Sequence, residues 1–115
     1  FDRGSEKFRA SKSKLADIPD ELRARLQQVA IAACRALKVR DYARVDLRLT
    51  EAGEIYVLEV NANCYLEEHD EFPVAAKAAG IGYEELIGRI VKLAMERARI
   101  ARPAAVEEQP LTDAP

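Results

Sequence analysis

At 115 residues, with 49% apolar and 33% charged side chains, the chain fits at most one domain with a small core and a globular composition. A formal net charge of −2 leaves no electrostatic footprint for nucleic acid. No apolar run approaches the roughly 18 residues of a membrane span, so neither nucleic acid nor membrane is expected as a partner. Cys34 and Cys64 are too few and too far apart for a C-x-x-C redox or zinc pattern. With no signal peptide at its start, the chain suits a reducing cytoplasm. A sequence beginning at Phe1 without an initiator methionine is what a fragment or a processed chain gives.

From Phe1 to Leu15 there is no clean periodicity, and Arg3, Lys7, Arg9, Lys12 and Lys14 read as a solvated loop. Asp17-Ile18-Pro19-Asp20-Glu21 is a helix-start signal, with proline early and acids in the first turn. Leu22, Leu26, Val29, Ala30, Ala33 and Leu37 follow at helical spacing to about Lys38. Cys34, at the edge of that stripe, reads as a small buried hydrophobe.

The segment from Tyr42 to Asn61 predicts two strands joined at Glu51-Ala52-Gly53-Glu54. In the first, Ala43, Val45, Leu47 and Leu49 alternate with Tyr42, Arg44, Asp46 and Arg48. Tyr56, Leu58 and Val60 share one parity of the second. A four-residue loop pairs Thr50 with Ile55, and therefore Asp46 with Glu59 and Arg44 with Asn61. That register buries Val45 and Leu47 beside Leu58 and Val60. It also gathers Arg44, Asp46, Glu59 and Asn61 on the opposite face, where directly paired residues have Cβ atoms about 4.5–5.5 Å apart. Two carboxylates and an amide oxygen so placed are hard ligands suited to Mg²⁺ on a phosphate substrate, and Arg44 beside them suits phosphoryl oxygens. A solvated sheet surface, with Arg44 neutralising Asp46, accounts for the same spacing.

After Asn61, the loop to Pro73 is acidic, with Glu67, Glu68, Asp70 and Glu71 around His69, the single histidine. One histidine without a second at ligand spacing reads as exposed. Cys64, three residues beyond Asn61, is placed to line a pocket, without an identifiable base to make it a nucleophile. A short helix from about Glu71 to Ala79 ends at Gly80. A second runs from Tyr83 to about Arg99, with Leu86, Ile90, Leu93 and Ala94 as its stripe. Few large apolar residues follow, so a disordered tail is expected over 101–115.

Arg-Val-Asp-Leu, a glycine-containing turn and Val-Leu-Glu-Val-Asn, in that order, resemble the C-terminal part of an ATP-grasp domain, most closely that of the D-alanine–D-alanine ligase family. The likeness runs from about Phe1 to about Arg99 and includes Ala-Ala-Gly-Ile-Gly-Tyr-Glu-Glu-Leu-Ile. It implies an α+β lobe, an antiparallel sheet covered by helices, over residues 1–100. It also implies ATP and Mg²⁺ (or Mn²⁺) as cofactors, with Asp46, Glu59 and Asn61 as metal ligands and Glu59 bridging two ions. Arg44 inherits the role facing the transferred phosphoryl group. Lys7 matches the lysine of a Lys-Tyr pair closing over the ATP phosphates, although Phe8 stands where tyrosine is usual.

The resemblance departs after the asparagine. Cys64-Tyr65 replaces a Pro-Gly turn, and Asp70-Glu71 falls where a Ser-Leu pair grips the acceptor's carboxylate. Two acids there repel a carboxylate and favour an amine-bearing or cationic acceptor, unless they serve only the following helix N-terminus. The adenine hinge and the lysines of the first lobe find no counterpart in this sequence. A longer parent is therefore expected, whose N-terminal ATP-grasp lobe is the partner of this one, with a homodimer of the parent left open. That parent joins a carboxylate to an amine through an acyl phosphate, and this chain alone is expected to be inactive. The alternatives are an ATP-grasp ligase with an acceptor other than D-alanine, and a non-catalytic interaction domain that keeps the fold.

Overall fold

The computed structural model describes residues 13–101. Lys7, Phe8 and residues 102–115 of the expected tail lie outside that range. Five elements follow in order: α1 (Asp20–Ala36), β1 (Arg44–Leu49), β2 (Ile55–Asn61), α2 (Glu71–Ala78) and α3 (Tyr83–Ala101). This is an α+β arrangement, one antiparallel hairpin with a helix before it and two after.

The helix starts within the expected Asp17–Glu21 signal. Pro19 has ψ 148°, outside the helical range, and its carbonyl accepts the first helical hydrogen bond from Arg23 N at 3.0 Å. Proline also disfavours helical backbone at the residue before it, so α1 begins at Asp20. Its other end is closed by Lys38 at φ +54°. Lys38 N donates to Arg35 O at 3.1 Å and Val39 N to Cys34 O at 3.0 Å, the paired bonds of a Schellman motif.

The hairpin is not the regular ladder that alternation predicts. Thr50 N donates to Glu54 O at 2.9 Å and Gly53 N to Thr50 O at 3.0 Å, closing a loop of residues 51–53. Gly53 at φ +84° supplies the left-handed residue such a loop needs, and Thr50 Oγ1 accepts Glu54 N at 3.0 Å. Ile55 consequently pairs with Leu49, not with Thr50. A β-bulge then resets the ladder: Leu47 pairs with Val57 but Asp46 with Glu59, so Leu58 has no partner. Leu58 is 67% exposed, which corrects the reading that buried it with Val60; Tyr56, of the same parity, is 52% exposed. Beyond the bulge, the expected pairs Asp46–Glu59, Val45–Val60 and Arg44–Asn61 all form.

Helix α1 packs on the hairpin, mainly against β2. Val29, Ala32 and Ile55 border one shallow depression, and Arg25 Nη2 donates to Gly53 O at 3.1 Å. By the pairing, Leu47, Val45 and Val60 share the face of Ile55 and are half-buried. No side chain of α1 is fully buried, Cys34 included, because a two-stranded ribbon is hardly wider than the helix laid on it.

The buried apolar side chains among the described residues are Cys64 and Leu86, with Pro73 also buried. Pro73 is tolerated in the first turn of α2, where its missing N–H has no helical partner. Gly80 at φ +89° ends α2, with Ile81 N donating to Ala76 O at 2.9 Å and Gly80 N to Lys77 O at 3.0 Å. α2 and α3 pack together. Tyr83 at the start of α3 donates its hydroxyl to Leu66 O at 2.8 Å, fixing the acidic loop. α3 runs two residues past the expected Arg99, and Arg97 pairs with Asp41 of the α1–β1 loop. No helix among the described residues is long and apolar enough to cross a membrane.

Candidate functional site

Arg44 and Asp46 lie two apart on β1, hence on one face, and the register sets Asn61 opposite Arg44 and Glu59 opposite Asp46. The open face of the hairpin thus carries all four side chains that the sequence singled out there. The bulge leaves them in place because it falls between Asp46 and Leu47, on the turn side of the patch.

Arg44 forks onto Asp46: Nε donates to Oδ1 at 2.9 Å and Nη2 to Oδ2 at 3.2 Å. Planar bidentate pairing of this kind is stronger and more directional than a single ion pair. The hydrogen bonds to Asp46 raise the Arg44 pKa, burial opposes them, and the charges of Asp46, Glu71 and Glu59 add to the rise. Arg44 is therefore a fixed cation. A third carboxylate also reaches it, since Nη1 lies 3.6 Å from Glu71 Oε2. The hydroxyl of Ser13 donates to the other oxygen of Glu71.

Asn61 is oriented by its own backbone. Its Oδ1 accepts Asn63 N at 3.0 Å, an Asx turn made by the chain leaving β2. A carbonyl oxygen accepts two hydrogen bonds, so this one keeps a lone pair for a further ligand. Two carboxylates and an amide oxygen are a hard donor set that fits Mg²⁺ or Mn²⁺. No group of three or more His, Cys, Asp or Glu side chains converges among the described residues. A cation here would complete its shell from water and ligand phosphates, as Mg²⁺ commonly does.

Cys64, expected to line a pocket, is buried, at 4% exposure. Burial pushes its thiol pKa up, against smaller lowering effects of a backbone hydrogen bond and of Arg44. A thiol kept protonated is a packing group, not a nucleophile. His69 is exposed. Asp70 holds the N-cap position of α2 and Glu71 its first turn, yet Glu71 also reaches Arg44. Sequence reasoning marked Glu71 as an acid near an acceptor and missed its contact with Arg44 and Ser13, because no periodicity links positions 13, 44 and 71.

The comparisons with known proteins agree on one group. A family model described as "D-ala D-ala ligase C-terminus" matches residues 5–92. A D-alanine–D-alanine ligase of Marinobacter nauticus is 48% identical over 73 residues, 64% of this chain and 22% of the relative. One from Shouchella clausii is 38% identical over 82 residues, 71% of this chain and again 22% of the relative. The chain therefore spans under a quarter of these curated relatives. Among solved structures, the D-alanine–D-alanine ligase of Bacillus anthracis complexed with ATP superposes with a TM-score of 0.73 at 31% identity, covering 85% of this chain and 33% of that one.

Proposed function

The chain belongs to the family of D-alanine–D-alanine ligase C-terminal domains, and we propose that it forms the Mg-ATP-holding lobe of an ATP-dependent carboxylate–amine ligase. In that reaction a substrate carboxylate oxygen attacks the γ-phosphorus of ATP, releasing ADP and leaving an acyl phosphate. An amine nitrogen then attacks the acyl carbon, phosphate leaves, and an amide bond remains. Asp46, Glu59 and Asn61 would hold the divalent metal on ATP. When bound, the metal screens phosphate repulsion and polarises phosphate oxygens. Arg44 stabilises charge on the moving phosphoryl group, and Lys7 contacts the ATP phosphates.

The observation that carries this reading is the register that sets Asp46 opposite Glu59 and Arg44 opposite Asn61 on one open face. Phosphoryl transfer depends chiefly on positioning and electrostatics, and this lobe contributes one side of such a site. The adenine hinge and further lysines come from an N-terminal lobe of the whole ligase, which works in the cytoplasm. Glu71, a carboxylate beside Arg44, favours a cationic acceptor, or an amine that carries no carboxylate, over D-alanine, because it would repel an acceptor carboxylate.

The test is Glu59→Gln in the whole ligase, followed by ADP release with a panel of carboxylate and amine substrates. Turnover should be nearly abolished while the fold, read by circular dichroism, is unchanged. Near-normal turnover would overturn the metal assignment.

A further inference from the structure

Arg44 stands between two carboxylates. Its Nε–Nη2 edge is occupied by the Asp46 fork, while Nη1 faces Glu71 Oε2 at 3.6 Å. Glu71 is held from behind, since its other oxygen accepts the Ser13 hydroxyl. It comes from a different element, the first turn of α2, so its position does not depend on the hairpin. Asp46, in contrast, has two claims on it. Both its oxygens are engaged by Arg44, yet it sits opposite Glu59 in the patch assigned above to a divalent cation. A guanidinium and a divalent cation on one carboxylate repel each other, so loading the cation weakens the Arg44 fork.

We propose that Glu71 is a positioning residue for Arg44: as Asp46 turns to a cation, the guanidinium passes its ion pair to Glu71 and stays on the phosphoryl side of the patch. The inference deepens the ligase reading and rests on its metal assignment. Glu71 then does more than favour the N-terminus of α2, a role that any first-turn acid fills. It also makes cation loading easier, because Asp46 is released without leaving Arg44 unpaired.

The experiment is a titration of the ¹⁵N-labelled full chain with Mn²⁺ alone. It reads paramagnetic broadening at Asp46, Glu59 and Asn61 together with the Arg44 Nε–Hε signal. Glu71 is 56% exposed at its side chain, so Glu71→Gln should leave the fold intact. It should raise the Mn²⁺ midpoint about fivefold, the upper range for an exposed ion pair. Glu71→Asp, which keeps the charge, should stay within about twofold of the unsubstituted chain. A direct pull of Glu71 on the cation would give the same first result, so a double-mutant cycle decides. With Arg44→Met already present, Glu71→Gln should shift the midpoint by less than about 1.5-fold, because no guanidinium is handed over. An equal shift in both backgrounds, or no shift in either, overturns the proposal and leaves the ligase reading standing. No broadening at Asp46, Glu59 or Asn61 in the unsubstituted chain overturns the metal assignment and this proposal together.

Discussion

Leu58 separates two registers that alternation cannot tell apart. In a regular ladder it would lie buried beside Leu47, and truncation to alanine would cost roughly 2–5 kcal/mol. In the bulged hairpin it is 67% exposed and lacks a cross-strand partner. Fully burying a leucine contributes about 1.5–3 kcal/mol, so a side chain about one-third buried contributes roughly 0.5–1 kcal/mol. Leu47, half-buried under α1, should lose about 1–3 kcal/mol on the same truncation. Urea unfolding of Leu58→Ala and Leu47→Ala, read from midpoints at constant slope, measures the contrast. Leu58→Ala costing as much as Leu47→Ala would refute the bulge. The pairing of Arg44 with Asn61 would then need direct measurement from cross-strand nuclear Overhauser effects.

Lys38 ends α1 at φ +54°, a conformation that costs a side-chain-bearing residue about 1 kcal/mol. Lys38→Gly should therefore stabilise the chain by about 0.5 kcal/mol after the extra freedom of unfolded glycine is deducted, visible as a higher urea midpoint. Cys64 predicts a pH dependence. Its folded thiol titrates above the ordinary value of 9.0 because burial disfavours the thiolate. The unfolded chain therefore loses its proton first, and stability present below pH 9.0 declines as pH rises past it. Cys64→Ala should flatten that decline in unfolding curves recorded across the range, and an unchanged slope would count against the burial.

The candidate site was legible in the sequence because hairpin arithmetic near the ends of the strands survived an error near the turn. Alternation predicts a loop of four residues; the loop has three, with Glu54 opposite Thr50. That slip would have turned every side chain of one strand over, had the bulge at Leu58 not cancelled it before Glu59. Alternation has no symbol for an unpaired residue, so neither departure could be read from the pattern alone. Helix ends were legible to within about three residues, since proline and glycine act locally.

Local chemistry in the sequence thus determined the element types, the turn at Gly53, the stop at Gly80 and the four polar residues of the open face. Local preferences and strand pairing act over a few residues or across one hairpin, and a single chain records both in its order. Tertiary structure alone decided that Cys64 is buried, that Leu58 is not, and that Glu71 reaches Arg44 with Ser13 behind it. The exposure of Leu58 follows from the bulge in β2, and the reach of Glu71 from where α2 comes to rest beside the hairpin. That placement follows from packing among segments far apart in the chain, which no local pattern encodes.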